Sequence, residues 1–251
     1  MNALSKAVLF ACPLVVLLAA VPMPLRHRPS PVAPATPTPA PVAGAPVPLP
    51  WPAWIVSNNE PFYGNAWEAK QIATNGLDMT ITLDNAGCPA SCDGLPLASG
   101  QLNTAQTYGY GLYQVSMQAA NATSGTNTAF FTYAANQDEI DVELLSDHNT
   151  QISTNFYHKG IEGVVKIVNL PFDVSKGMHL YGIRWLPTEI QWTVDGAIVA
   201  TDTSAQYTLP TMPTNLYMSL WTEGNTPAWF GPLVYTTPIT AIFANPSFTP
   251  Q

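Results

Sequence analysis

The segment Asn136 to Leu145, NQDEIDVELL, concentrates acids in a chain that has few of them. Of 16 Asp and Glu in 251 residues, Asp138, Glu139, Asp141 and Glu143 fall within six positions. At a period of two, Glu139, Asp141 and Glu143 share one face, and Ile140, Val142 and Leu144 share the other. A helix would scatter these acids around its circumference, whereas a strand lines them up. Crowded carboxylates cannot all hold charge, so one or more pKa values rise and the set titrates together. Glycoside hydrolysis uses such a set. It needs one ionised carboxylate and one protonated carboxyl, about 5–5.5 Å apart in retaining enzymes. Four residues of flat strand hold the Glu139 and Glu143 backbones about 13 Å apart. The two side chains must therefore lean together over a concave sheet. A calcium site or a plain solvated strand face would also suit a row of carboxylates.

The elements that must position this row are strands. LDMTITLD alternates Leu77, Met79, Ile81 and Leu83 against Asp78, Thr80, Thr82 and Asp84. GLYQVSMQA alternates Tyr113, Val115 and Met117 against Gln114, Ser116 and Gln118, and TNLYMSLW alternates Leu216, Met218 and Leu220 against Tyr217, Ser219 and Trp221. EIQWTVDGAIVATD predicts a hairpin, with Asp195-Gly196 able to take the positive φ of a tight turn. No long helical period runs between Trp51 and Gln251. The expected fold is all-β: an antiparallel two-sheet sandwich of jelly-roll type.

Three segments are expected along the chain. Residues 1–25 read as an export signal, with Lys6 before the apolar run AVLFACPLVVLLAAV. A retained membrane anchor is the competing assignment, and Pro13, Pro22 and Pro24 count against it. Residues 26–52 form a Pro/Ala tract without apolar periodicity, which suits an extended, stiff linker. Residues 53–251 form the functional domain, and the expected location is secreted or periplasmic, with a membrane-anchored form as the alternative. Cys88 and Cys92 would close a small local loop in an oxidising compartment. The four His are scattered, and no zinc-type ligand spacing occurs. A net charge of −8 argues against nucleic acid and anionic lipid as partners. Many Tyr, Trp, Asn and Thr side chains suit a neutral polar ligand.

The blocks YGYGLYQVSMQAA, AFFTYAANQDEIDVELL, ISTNFYHKG, KIVNLPFD, IQWTVDGAIVATD and MSLWTEGNTPAWFG follow in this order. They resemble the bacterial lichenases, endo-β-1,3-1,4-glucanases of glycoside hydrolase family 16, and are similar to the exopolysaccharide depolymerases of that family. The family signature Glu-x-Asp-x-Glu is matched by Glu139, Asp141 and Glu143. The resemblance implies a concanavalin A-like jelly roll with a substrate cleft across its concave sheet. It also implies Glu139 as nucleophile, Asp141 as helper and Glu143 as acid/base. By position it implies Phe131, Tyr133, Asn155, Tyr157, Trp221 and Trp229 as substrate-binding residues. The strand period independently places Trp221 on the face of Tyr217 and Ser219.

Several positions depart from the family pattern. The usual disulfide partners fall at Asn65 and Ser99. A sugar-contacting Glu-x-Arg pair appears as Gln101 and Asn103, and an Asn before the cleft Trp appears as Ser219. The calcium-site Asp appears as Ala244, so calcium is expected weak or absent and no cofactor is expected. The resulting expectation is a secreted, retaining, monomeric endo-β-glucanase acting on β-glucan or a related exopolysaccharide. The alternatives are a transglycosylase on the same fold and a non-catalytic carbohydrate-binding jelly roll.

Overall fold

The computed structural model describes residues 44–50, 54–75, 78–85, 95–223 and 229–251. The export signal, most of the linker, Leu77 and the Cys88–Cys92 pairing lie outside the described residues.

Two eight-stranded sheets carry the fold. The first runs β17 (Ala197–Thr203), β16 (Glu189–Val194), β15 (His179–Trp185), β9 (Gly111–Gln118), β19 (Ile239–Pro250), β6 (Asp78–Leu83) and β5 (Ile72–Thr74), with β1 (Val47–Pro48) on β19. The second runs β13 (Ile161–Glu162), β12 (Gln151–His158), β11 (Glu139–Leu145), β10 (Asn127–Tyr133), β18 (Asn215–Trp221), β8 (Gln101–Thr104) and β2 (Trp54–Val56), with β14 (Lys166–Asn169) on β12. A small third sheet joins β3 (Glu60–Phe62), β4 (Asn65–Trp67) and β7 (Ala98–Ser99). Pairing within both large sheets is antiparallel; β10 to β13 and β15 to β17 pair in sequence order, whereas β9, β18 and β19 pair with strands distant in sequence.

The alternation read from the sequence decides which face each strand buries. Met79, Ile81 and Leu83 of β6 and Tyr113, Val115 and Met117 of β9 are fully buried from one sheet. Ile140, Val142 and Leu144 of β11 and Leu216, Met218 and Leu220 of β18 are buried from the other. Each such side chain contributes about 1.5–3 kcal/mol of transfer free energy. The sandwich is therefore held by its period-two apolar faces, and the opposite faces are left to polar groups. The hairpin β16–β17 turns at Asp195 and Gly196, with φ of 50° and 81°, the left-handed values expected at this Asp-Gly.

Asn65 and Ser99, where the resemblance places a disulfide, are tied by hydrogen bonds instead. Thr222 N–H donates to Asn65 Oδ1 at 3.0 Å, and the Ser99 hydroxyl donates to the Leu220 carbonyl. Both bonds reach the end of β18, so they fasten the small sheet beside Trp221.

Asp138 shows what the fold does with the fourth acid of the cluster. It lies one residue before β11, out of phase with the other three, and is 0 % exposed. Its carboxylate accepts N–H bonds from Lys159 (2.9 Å), Thr211 (2.8 Å) and Met212 (3.0 Å), and His158 Nδ1 lies 3.2 Å away. Burial pushes its pKa up, but the hydrogen bonds from Thr211, Met212, Lys159 and Asn136 outweigh burial and hold it below the ordinary value of 3.8. Its contribution to stability is thus present above the ordinary pKa and lost as pH falls through the depressed one. Replacing Asp138 with Ala orphans three backbone donors and is expected to cost about 3 kcal/mol in urea unfolding. A loss under about 1 kcal/mol would refute this clamp.

Candidate active site

β11 lies between β10 and β12, and β18 flanks β10. The antiparallel register sets side chains of these strands in rows across the face opposite the core. Glu139 stands between Tyr133 and Tyr157, and Asp141 between Phe131 and Asn155. Glu143 stands between Ala129 and Ser153. β18 extends the rows with Tyr217 beside Phe131 and Ser219 beside Ala129, and β8 adds Gln101 beside Ser219. The result is a hollow of about 380 Å³ lined by Glu139, Asp141 and Glu143 together with Phe131, Tyr133, Tyr217, Ser219, Trp221, Gln101, Ala129 and Phe62.

The three carboxyl groups converge in this hollow. Asp141 and Glu139 share a hydrogen bond, and the charge of Glu139 acts on Glu143. Asn127, at the start of β10, donates to Glu143 Oε1 at 2.8 Å. On the core side, Trp192 of the other sheet donates its indole N–H to the Asp141 carbonyl at 2.8 Å. The strand is thereby fixed from beneath while its acids face the hollow.

Burial sets the electrostatics. It pushes Glu139 up to about 7, partly offset by the hydrogen bond from Asp141. It pushes Glu143 up to about 8, eased by Asn127 and reinforced by the charge of Glu139. Asp141 is raised well above the carboxylate range, first by burial and then by the charges of Glu139 and Glu143. Its hydrogen bond to Glu139 and the charge of Glu162 raise it further. The hydrogen bond that lowers Glu139 and raises Asp141 makes Asp141 the protonated donor to Glu139, and burial favours a protonated Glu143 in the same hollow. A carboxylate and a carboxylic acid facing one space can do nucleophilic and general-acid chemistry on a single bond.

The residues expected to bind substrate divide by place. Phe131, Tyr133 and Trp221 line the hollow; Phe131 stacks on Tyr217 at 4.9 Å, with 19° between the rings. Asn155 and Tyr157 continue the same face on β12, beside Asp141 and Glu139. Trp229 lies outside the hollow, is 47 % exposed, and packs edge-on against Phe230 at 5.6 Å. It sits on a connection and not on a strand, so no alternation fixes its direction.

Other side chains of the site were not singled out as binding residues from the sequence. Tyr217 lies in phase with Trp221 on β18 and Asn127 with Phe131 on β10, both of which line the hollow, so period two could have found them. Phe62 comes from the small sheet, its ring 5.4 Å from Trp221, and no local pattern signals that contact. Ala244, at the position where the resemblance places a calcium-site Asp, is buried, and its side chain carries no oxygen. Among the described residues no group of three or more His, Cys, Asp or Glu is placed to hold a metal.

The family model of Glycosyl hydrolases family 16 matches residues 59–237. The chain belongs to this family. It is a glycoside hydrolase, and the two-sheet sandwich agrees with the jelly roll that the resemblance implies. A β-glucanase of Bacillus licheniformis is 37 % identical over 188 residues, covering 72 % of this chain and 73 % of that one. A β-glucanase of Paenibacillus polymyxa is 37 % identical over 181 residues, covering 69 % and 71 %. Among solved structures, the Bacillus licheniformis β-glucanase superimposes with a TM-score of 0.73 at 29 % identity, covering 83 % of this chain and all (100 %) of that one. A prokaryotic β-1,3-1,4-glucanase (lichenase) from a mouse hindgut metagenome gives 0.71 at 28 % identity, covering 79 % and 93 %.

Proposed function

We propose that this family 16 hydrolase is a secreted, retaining endo-β-glucanase that cuts β-1,3-1,4-glucan or a related β-linked polysaccharide. The observation that carries this is the meeting of three carboxyls in one hollow: Asp141 shares a hydrogen bond with Glu139, and Glu143, held by Asn127, lines the same space. The relatives named β-glucanase support the polymer class. The apolar run after Lys6 supports export.

In the first step a Glu139 carboxylate oxygen attacks the anomeric carbon. The bond from that carbon to the bridging oxygen breaks, and the Glu143 proton moves to the departing oxygen. Asp141 holds its proton toward Glu139, which tunes the nucleophile and loses its charged partner as the ester forms. In the second step the Glu143 carboxylate takes a proton from water, the water oxygen bonds to the anomeric carbon, and the bond to Glu139 breaks. Two inversions leave the configuration unchanged. The rings of Phe131, Tyr133, Tyr217 and Trp221 offer flat faces to the C–H sides of the sugars, and Asn155 and Tyr157 meet the hydroxyls. Trp229 would contact the polymer only beyond the hollow.

Mixed-linkage β-glucan digested in an NMR tube is the direct test. The β-anomer is expected first, followed by slow mutarotation. Initial release of the α-anomer would refute the retaining scheme, and an uncut glucan would refute the substrate class.

A further inference from the structure

The row that contains Glu139 continues past Tyr157. β13 pairs with the end of β12 and sets Glu162 opposite Tyr157. Glu162 Oε1 accepts from the Asn155 amide at 3.2 Å and lies 3.5 Å from the Tyr157 hydroxyl, which points at it. One exposed carboxylate therefore engages the two polar side chains that flank Asp141 and Glu139. Among the described residues Glu162 has no ion-pair partner, and Lys166 on the neighbouring β14 is engaged by Asp202 at 2.5 Å. Its charge is not neutralised locally, and it adds to the negative field felt by Asp141 and Tyr157.

We propose that Glu162 is a specificity-determining residue of the cleft: it holds Asn155 and Tyr157 toward the hydroxyls of a neutral sugar and turns away a sugar carrying a carboxylate or sulfate there. The inference rests on the β-glucanase reading above. Discrimination of this kind comes from a repulsive element as much as from an attractive one. A like charge brought within several ångströms of a carboxylate at the protein surface is disfavoured by a factor of about ten or more. A neutral glucan meets no such penalty: its hydroxyls can accept the second amide N–H of Asn155 and donate to the Tyr157 oxygen while both groups remain anchored on Glu162. Two functions are thus combined in one side chain, and they separate by substitution. Glu162→Gln removes the charge and keeps an acceptor oxygen, whereas Glu162→Ala removes both.

The experiment compares kcat/KM of the wild type and both variants on mixed-linkage β-glucan and on the same polymer with part of its C6 hydroxyls oxidised to carboxylates. The wild type is expected to prefer the neutral polymer by about tenfold or more at low salt, and less at high salt. Glu162→Gln is expected to reduce that preference about fivefold with a small rise in KM on neutral glucan. Glu162→Ala should reduce it as much and also raise KM about fivefold with kcat little changed, because Asn155 and Tyr157 lose their anchor. Thermal melts accompany each variant, and a merely structural role would move the melting temperature without moving the preference. An active enzyme whose preference is the same in all three proteins overturns the role of Glu162 alone. A wild type that cuts no neutral glucan overturns the β-glucanase reading, and Glu162's role with it.

Discussion

Glu139→Gln is expected to lower kcat on β-glucan by about four orders of magnitude, or roughly 5.5 kcal/mol of transition-state stabilisation. The amide keeps the shape and the hydrogen bond to Asp141 but cannot form the glycosyl ester. The fold should not suffer, because Gln is neutral where burial already disfavours a charge. A second variant makes the assignment specific. Glu139→Ala with added azide leaves room for an external nucleophile on the face Glu139 occupied, with Glu143 still able to protonate the departing oxygen. One inversion then gives an α-glycosyl azide. Glu143→Ala with azide and an activated aryl glycoside goes through the ester on Glu139, so two inversions give the β-azide. Products of opposite configuration would exchange the proposed roles of the two glutamates. A Glu139→Gln protein with wild-type kcat would end the proposal.

The strand that carries these groups was legible because its sequence repeats at the period of its structure. Ile140, Val142 and Leu144 go to the core and Glu139, Asp141 and Glu143 to the cleft, as alternation requires. The same rule placed Trp221 and Tyr217 on one face of β18. Period alone cannot say how far side chains lean, so it yields a 13 Å strand spacing and a demand for convergence. Convergence itself depends on neighbours contributed by other strands. Asp138 marks a second limit. It sits in the acid cluster, yet its partners Thr211 and Met212 lie 73 and 74 residues away. Nothing local distinguishes a clamp from a catalytic acid. Glu162 marks a third, since a two-residue strand is too short to show any period. Phe62 reaches the hollow from the small third sheet, and Trp229, placed by resemblance, stands outside it.

The pH dependence of stability provides the second large effect, and its sign follows from the direction of the shifts. Glu139 and Glu143 are raised in the fold from 4.5 to about 7 and about 8. Between the ordinary and the raised values, the folded protein binds protons that the unfolded chain has released. Their contribution to stability is therefore fully present below about 4.5 and is lost as pH rises toward and through the folded values. Asp138 runs the other way and loses its contribution only in acid. Glu143→Gln removes one of the raised groups and with it one buried charge at alkaline pH. At pH 8.5 the variant should exceed the wild type by on the order of 3 kcal/mol, seen as a melting temperature higher by roughly 5–10 °C. At pH 4.5 the two proteins should melt nearly together. The same substitution deprives the departing oxygen of its proton, so kcat on glucan falls by about a thousandfold. An aryl glycoside that departs without protonation should lose far less in the first step. A stability advantage of the variant over the wild type that grows with pH, together with activity lost in proportion to the leaving group's need for a proton, would trace to one carboxyl held protonated by its burial. A melting-temperature difference that stays constant from pH 4.5 to 8.5 would show that the fold does not hold that proton, and the acid would have to be sought elsewhere in the hollow.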